Sequence, residues 1–263
     1  MNKTKIDWCD STWNPVTGCL HGCEYCYARG IAHRFDGGKK LKYGARTILD
    51  ETVIVDGNKS AYPFGFVPTF HRYRLNDYID KKGRNIFVCS MADLFGSWVP
   101  DNWIEEVFAA CEKAPQHNYL FLTKNPVRYS LLQGKEKLIK KPNMWYGNSI
   151  TNKEQMEISD YETGLLGGKA RTFYSIEPLL EDITECKFWK NSCSKWYMDW
   201  VIIGAETGRR KDKIEKKKKW IENIVNDCEK EDVPVFMKSS LADIWGEPLI
   251  QEFPKELKRS DVE

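Results

Sequence analysis

Three cysteines crowd into eight residues near the start of the chain. The run Gly18-Cys19-Leu20-His21-Gly22-Cys23-Glu24-Tyr25-Cys26 has the spacing C-x3-C-x2-C. Three thiolates this close on one loop reach three corners of a single cubane iron–sulfur cluster. Gly18 and Gly22 give such a loop the backbone freedom to wrap an inorganic core. Zinc is the rival, but structural zinc usually takes four ligands in two separated pairs. No second C-x2-C follows, although His21 inside the loop keeps a mixed zinc site open. A ferredoxin-type [4Fe–4S] site requires a fourth cysteine in a recognisable position. Three ligands leave one iron open, which is what a chelating cofactor needs. The chain has nine cysteines, so a fully paired disulfide framework is impossible. Of the other six, Cys111 and Cys228 are expected to be core thiols on helices. Cys186 and Cys193 are two thiols, too few by themselves for an auxiliary cluster.

With Tyr25 just before its last cysteine, the triplet resembles the signature of the radical S-adenosylmethionine (SAM) superfamily. Longer stretches resemble an uncharacterised radical-SAM-like family of phages and bacteria. They are Ile6-Asp7-Trp8, Thr12–Cys19, Ser90–Phe95, Leu122-Thr123-Lys124, Ser175–Leu180, Trp200–Gly208 and Pro234–Lys238, in order along most of the chain. Many relatives have a longer first cysteine gap, Arg where Asn125 stands and Gly where Ala205 stands. The resemblance implies a [4Fe–4S] cluster on Cys19, Cys23 and Cys26, with SAM chelated at the open iron. It further implies reductive cleavage to a 5′-deoxyadenosyl radical, with flavodoxin or ferredoxin as reductant. It brings no substrate. A phage-type setting suggests modification or repair of a nucleic acid base or nucleotide.

The elements that must hold this loop alternate regularly. Strands are expected at Phe66–Phe70, Asn85–Ser90, Tyr119–Thr123, Met144–Ile150, Thr172–Ile176, Trp200–Ala205 and Val233–Lys238, each short and rich in Val, Ile, Phe, Tyr or Trp. Helices are expected at Tyr27–Phe35, Leu75–Lys82, Asp101–Lys113, Pro126–Leu132, Lys153–Tyr161 and Lys213–Lys230. Asp101 is the expected N-cap of its helix. The alternation predicts an α/β fold: a complete or partial parallel (β/α) barrel, TIM-like as in radical SAM enzymes. The expected organisation is one domain over residues 1–263 with insertions near 36–65 and 181–199.

In a parallel barrel, chemistry sits at the C-terminal strand ends. The residues there are Ser90, Asp93, Thr123, Lys124, Ser149, Asn152, Glu177, Glu206, Thr207 and Lys238. The methionine ammonium of SAM calls for a carboxylate, its carboxylate for a cation or hydroxyl, and its ribose for mixed partners. Asp93 with Ser90 is thus assigned the methionine end, and Glu177 or Glu206 the ammonium or ribose. Lys124 and Lys238, or Arg72 and Arg74, are assigned to an anionic substrate or the SAM carboxylate. Thr123 and Ser149 complete the ring, and the backbone beside Tyr25 is placed against the adenine by the superfamily resemblance. Trp8 and Trp13 are expected to pack on the barrel rather than stack on bases. The basic run Arg209–Lys219 is the candidate phosphate-binding patch.

Other chemistries lack their motifs. No P-loop, G-x-S-x-G or H-E-x-x-H occurs, and none of the four histidines stands in metal spacing. The formal charge is +2, from 40 Lys+Arg against 38 Asp+Glu, which argues neither for nor against a polyanion. No apolar run approaches the roughly 20 residues of a membrane span. The polar N-terminus lacks a signal-peptide core, so a cytoplasmic location is expected. The alternative to an enzyme is a zinc- or cluster-stabilised nucleic-acid-binding module.

Overall fold

The computed structural model describes residues 4–39, 47–168, 170–194, 197–207 and 217–258. The chain divides into two compact units, one built on Cys9–Asn125 and the other on Lys5–Trp8 with the chain from Pro126 onward.

In the first unit, strands β1 (Ser11–Trp13), β7 (Asn85–Val88) and β8 (Asn118–Thr123) run parallel in that order. All four residues of β7 are buried, as expected of a strand covered on both faces. A small second sheet joins β2 (Val16–Thr17), β6 (Thr69–His71) and β3 (Thr47–Leu49), with β6 central. Between β3 and β6 stands a two-stranded hairpin, β4 (Ile54–Val55) and β5 (Asn58–Lys59), inside the expected 36–65 excursion. Helix α1 (Tyr27–Arg34) follows the cysteine loop, and α2 (Asp101–Lys113) packs through Trp103, Ile104, Val107, Phe108, Ala110 and Cys111.

The second unit carries the parallel strands β9 (Met144–Ser149), β10 (Arg171–Ile176), β11 (Trp200–Ile203) and β12 (Val235–Met237) in register as neighbours. Helices α3 (Val127–Gly134), α4 (Lys153–Leu166), α5 (Lys187–Ser192), α6 (Lys218–Lys230) and the short α7 (Ala242–Trp245) cover them. The inner stripe of α6 is Ile221, Ile224, Val225 and Cys228, the three-and-four spacing of an amphipathic helix. Trp8 is 2% exposed and lies against Phe173 and Trp200, so it packs as expected.

Three expectations need correction, and one strand was not expected. No helix forms at Leu75–Lys82. That stretch is a succession of tight turns, with Asp77 N–H donating to Arg74 O and Lys81 N–H to Tyr78 O. Only Tyr78 is buried there, and one buried side chain makes no helical stripe. The strand expected at Phe66–Phe70 lies at Thr69–His71, because Pro68 has no N–H for a ladder, and it belongs to the small second sheet rather than to the parallel one. Pro100, not Asp101, is the N-cap of α2, and Asp101 stands in the first turn, where its charge suits the helix dipole. Ser11–Trp13 is a parallel strand that three residues could not announce. Residues 213–216 of the last expected helix lie outside the described ones.

His71 is fully buried in β6, with Nε2 2.8 Å from Thr17 Oγ1 and Nδ1 3.4 Å from Tyr73 Oη. Burial, with Arg74 nearby, holds its pKa down to about 3 from the usual 6.5. Between those values the unfolded chain binds a proton that the native chain refuses. Stability is therefore intact above pH 6.5 and lost as pH falls through the window. Lowering the pH from 7 to 4.5 should cost the wild type about 2 to 3 kcal/mol through this group. His71→Gln should flatten that part of the acid limb in urea titrations. An unchanged limb would mean that other groups set it.

Candidate functional site

The cysteine loop hangs between β2 and α1. Gly18, just before Cys19, has φ +85°, and its N–H donates to Met91 O at 2.9 Å. A Cβ there would stand 2.4 Å from the Val67 carbonyl carbon and oxygen. Only glycine allows both the left-handed backbone and that approach. At the far end, Cys26 is the N-cap of α1, with Sγ accepting the Arg29 N–H at 3.4 Å.

The middle of the loop is tied down by a buried carboxylate. Asp93 Oδ2 takes hydrogen bonds from His21 Nε2 at 2.7 Å and from the Lys124 N–H at 2.9 Å. Asp93 Oδ1 takes the Phe95 N–H at 3.0 Å, and Thr123 Oγ1 reaches both oxygens at 2.8 and 3.0 Å. His21 also meets the Trp98 ring edge-on, at 4.8 Å between centroids. Ser90 is committed as well. Its carbonyl accepts from Tyr27 Oη at 2.8 Å, and its hydroxyl donates to Asn14 Oδ1 at 3.2 Å. Lys124 Nζ lies 5.5 Å from the centroid of the Tyr25 ring. The first unit thus gathers Tyr25, Ser90, Asp93, Thr123 and Lys124 around the triplet.

In the second unit, Lys238 beyond β12 forms a close ion pair with Glu177 beyond β10, both mostly buried. Gly204, after β11, lies between them. A Cβ there would come 3.0 Å from Glu177 Cγ and Cδ and from Lys238 Cδ. Glu206 is 6% exposed, one residue past Ala205, whose N–H is held by Ser240 Oγ at 3.0 Å. Ser149 ends β9 and is 8% exposed. Asn152 is the side-chain N-cap of α4, accepting from the Gln155 N–H at 2.9 Å, so its role is local. Arg72 is paired with Glu106 and Asp50, and Arg74 donates to Asn14 O and Tyr73 Oη, which spends both inside the first unit. Of the basic run, Lys217 and Lys218 lie over Trp220 and Trp245, at 5.8 and 5.4 Å. Residues 209–216 lie outside the described ones.

Cys19, Cys23 and Cys26 are the residues that could hold an iron–sulfur cluster. Cys19, Cys23 and Cys26 are half-buried, whereas Cys9, Cys89, Cys111, Cys193 and Cys228 are buried. Burial pushes the Cys19 thiol up to about 12, against a hydrogen bond from the His21 backbone. Among the described residues no three His, Cys, Asp or Glu side chains converge as they would on a single metal ion. A cubane cluster is wider than one ion and takes its thiolates at separate corners. No helix among the described residues is long and apolar enough to cross a membrane.

Residues 3–259 match the family described as a protein of unknown function, DUF5131. The chain belongs to that family. No curated protein matches it in sequence. Among solved structures, a cysteine-to-serine mutant of spore photoproduct lyase gives a TM-score of 0.56 at 9% identity, over 90% of this chain and 78% of that one. Spore photoproduct lyase complexed with dinucleoside spore photoproduct gives 0.50 at 10% identity, over 88% and 64%. Identities this low establish the fold alone, so this DUF5131 chain is an α/β protein of the parallel half-barrel type.

Sequence spacing missed His21 as a positioning residue, and Asn14 and Trp98 altogether. The His21–Asp93 contact spans 72 positions, so no local pattern could signal it. Asp93→Asn turns two acceptor oxygens into one and forces an amide N–H toward donors. It should cost about 2 to 4 kcal/mol in urea unfolding. Gly18→Ala should cost about 2 kcal/mol or more, through positive φ and the Val67 carbonyl. A near-neutral result for either would refute the corresponding contact.

Proposed function

We propose that this DUF5131 protein is a radical SAM enzyme that acts on a nucleic acid base or nucleotide. The observation that carries the reading is the half-buried C-x3-C-x2-C loop, spanned by two positive-φ glycines and pinned by His21 to the strand-end carboxylate Asp93. In this reading Cys19, Cys23 and Cys26 ligate three irons of a [4Fe–4S] cluster. The cluster and SAM together supply reductive cleavage of the sulfonium and a 5′-deoxyadenosyl radical. The fold supports the reading, since its neighbour, spore photoproduct lyase, is itself a radical SAM enzyme. That neighbour is seen complexed with a dinucleoside, which supports the substrate class.

The chain's own residues then divide the work. Asp93, Thr123 and Ser90 are spent on holding the loop and strand ends in place. Lys124, over Tyr25 and beside the triplet, is the cation for the SAM carboxylate, and the Tyr25 backbone lies against the adenine. At the strand ends of the second unit, Glu177, Glu206, Ser149 and Lys238 would offer carboxylates, a hydroxyl and an ammonium to an anionic or cationic ligand. The Glu177–Lys238 pair neutralises itself until a ligand competes for one partner, which limits the cost of half-burying both charges. An outside one-electron carrier such as flavodoxin or ferredoxin is the reductant.

Anaerobic purification and reconstitution should give a brown protein with about four irons per chain, releasing 5′-deoxyadenosine with dithionite and SAM. Cys19→Ala, Cys23→Ala and Cys26→Ala should each abolish iron retention and release. Cys111→Ala should keep both. One zinc per chain without SAM cleavage would overturn the proposal in favour of a metal-stabilised binding module.

A further inference from the structure

Helix α4 has its polarity reversed for a helix that only covers a sheet. Alongside Met156 and Leu166, its inner face buries Ser159, Glu162 and Thr163. Glu162 accepts there from Ser130 Oγ, and Thr163 Oγ1 accepts from Asn148 Nδ2. Its outer face carries Ile158, Tyr161 and Leu165 at three- and four-residue spacing, and α3 adds Val127 and Leu131. These five are 38% to 67% exposed. Ser130 to Glu162 and Gln133 Nε2 to Leu165 O both span 32 positions, so α3 and α4 lie side by side and point the same way. Their exposed side chains form one apolar patch. Other helices of this chain turn charge outward, with Glu105 and Glu112 on α2 and Lys219 and Glu229 on α6.

We infer that this patch pairs with the same patch on a second copy of the chain, about a two-fold axis. Five side chains exposed to this degree leave on the order of 400 Å² of apolar surface. That is enough for the core of a standard interface of about 800 Å² a side, whose remainder is polar rim. The rim is charged in opposite senses at its two ends. Exposed Glu154 and Glu157 open α4, and Lys135 and Lys137, with Glu136 between them, follow α3. At the acidic end Lys153 is spent on Glu185, and Arg128 is half-buried. A two-fold axis across the patch lays the helices of the two copies antiparallel. Glu154 and Glu157 of each copy then face Lys135 and Lys137 of the other, whereas a same-direction pairing would set acid on acid. Tyr161, the most exposed of the five, lies midway between the two ends and meets its counterpart near the axis. Nucleic acid fits less well, because two carboxylates border the patch. The inference stands apart from the radical SAM reading and needs no cluster.

The test uses the full chain and sedimentation velocity at micromolar concentration. The wild type should sediment as a dimer that dissociates on dilution. Tyr161→Glu and Leu165→Glu, both at exposed positions, should keep the wild-type circular dichroism and raise the dimer Kd about tenfold or more. Glu157→Lys and Lys135→Glu should each raise it about threefold at low salt. Combined in one chain they should return it toward the wild-type value, since each new charge again meets its opposite across the axis. A wild type that stays monomeric overturns the inference and leaves the face to a different protein. A dimer indifferent to both apolar variants overturns it too, because the copies would then meet elsewhere. Charge variants whose effects add instead of cancelling overturn the two-fold pairing. Should either apolar variant lose its circular dichroism, the charge pair decides alone.

Discussion

A carboxylate buried to 5% exposure is tolerable only if its oxygens are met by donors, and Asp93 is met by four groups. They come from different places: a histidine inside the cysteine loop, a threonine and an amide at the end of β8, and an amide two residues on. One charge therefore fixes the loop to the strand ends. Removing any donor leaves part of that charge uncompensated, so the arrangement is held by the cost of its alternatives as much as by its own bonds. The loop needs such an anchor, because half-exposed thiols add little packing of their own.

The second unit solves the same problem with an ion pair. Glu177 and Lys238 end two strands that flank β11, and each is otherwise an isolated charge at the rim of an apolar sheet. Gly204 leaves room for their approach, since a Cβ there would crowd both side chains. Parallel strands buried on both faces leave polar residues only where the strands run out. A cluster of strand-end polar groups is thus a consequence of the fold. Local bonding decides which of them can serve a ligand: Asp93 and Ser90 spend their polar groups inside the protein.

What was legible in the sequence was whatever a short window encodes. The β-branched and aromatic runs locate six of the seven expected strands to within two residues at either end. The stripe of α2 and the C-x3-C-x2-C loop are equally local. The local reading failed at two points: Pro68 moved a strand, and the Leu75–Lys82 stretch forms turns with Tyr78 as its sole buried residue. The site was legible in composition but not in bonding. Asp93 looked like a ligand for an ammonium because it ends a strand, yet its partner His21 stands 72 residues away. Separations of 22 to 60 positions hid the partners of Arg72 and Arg74, whose charges looked available and are spent on Glu106, Asp50 and Asn14.

Fold alone cannot carry the functional argument, since parallel barrels and half-barrels host unrelated chemistries. At 9% identity, a shared architecture with spore photoproduct lyase says where a site would lie, at the strand ends, and not what it does. The weight rests on the contrast among nine cysteines in one chain. Five are buried, and Cys186 is half-buried outside the loop. Three stand half-buried on one loop that a positive-φ glycine, a helix cap and a carboxylate anchor hold in place. A chain that needed cysteine only as a small apolar residue would have no reason to invest that much backbone geometry in three of them.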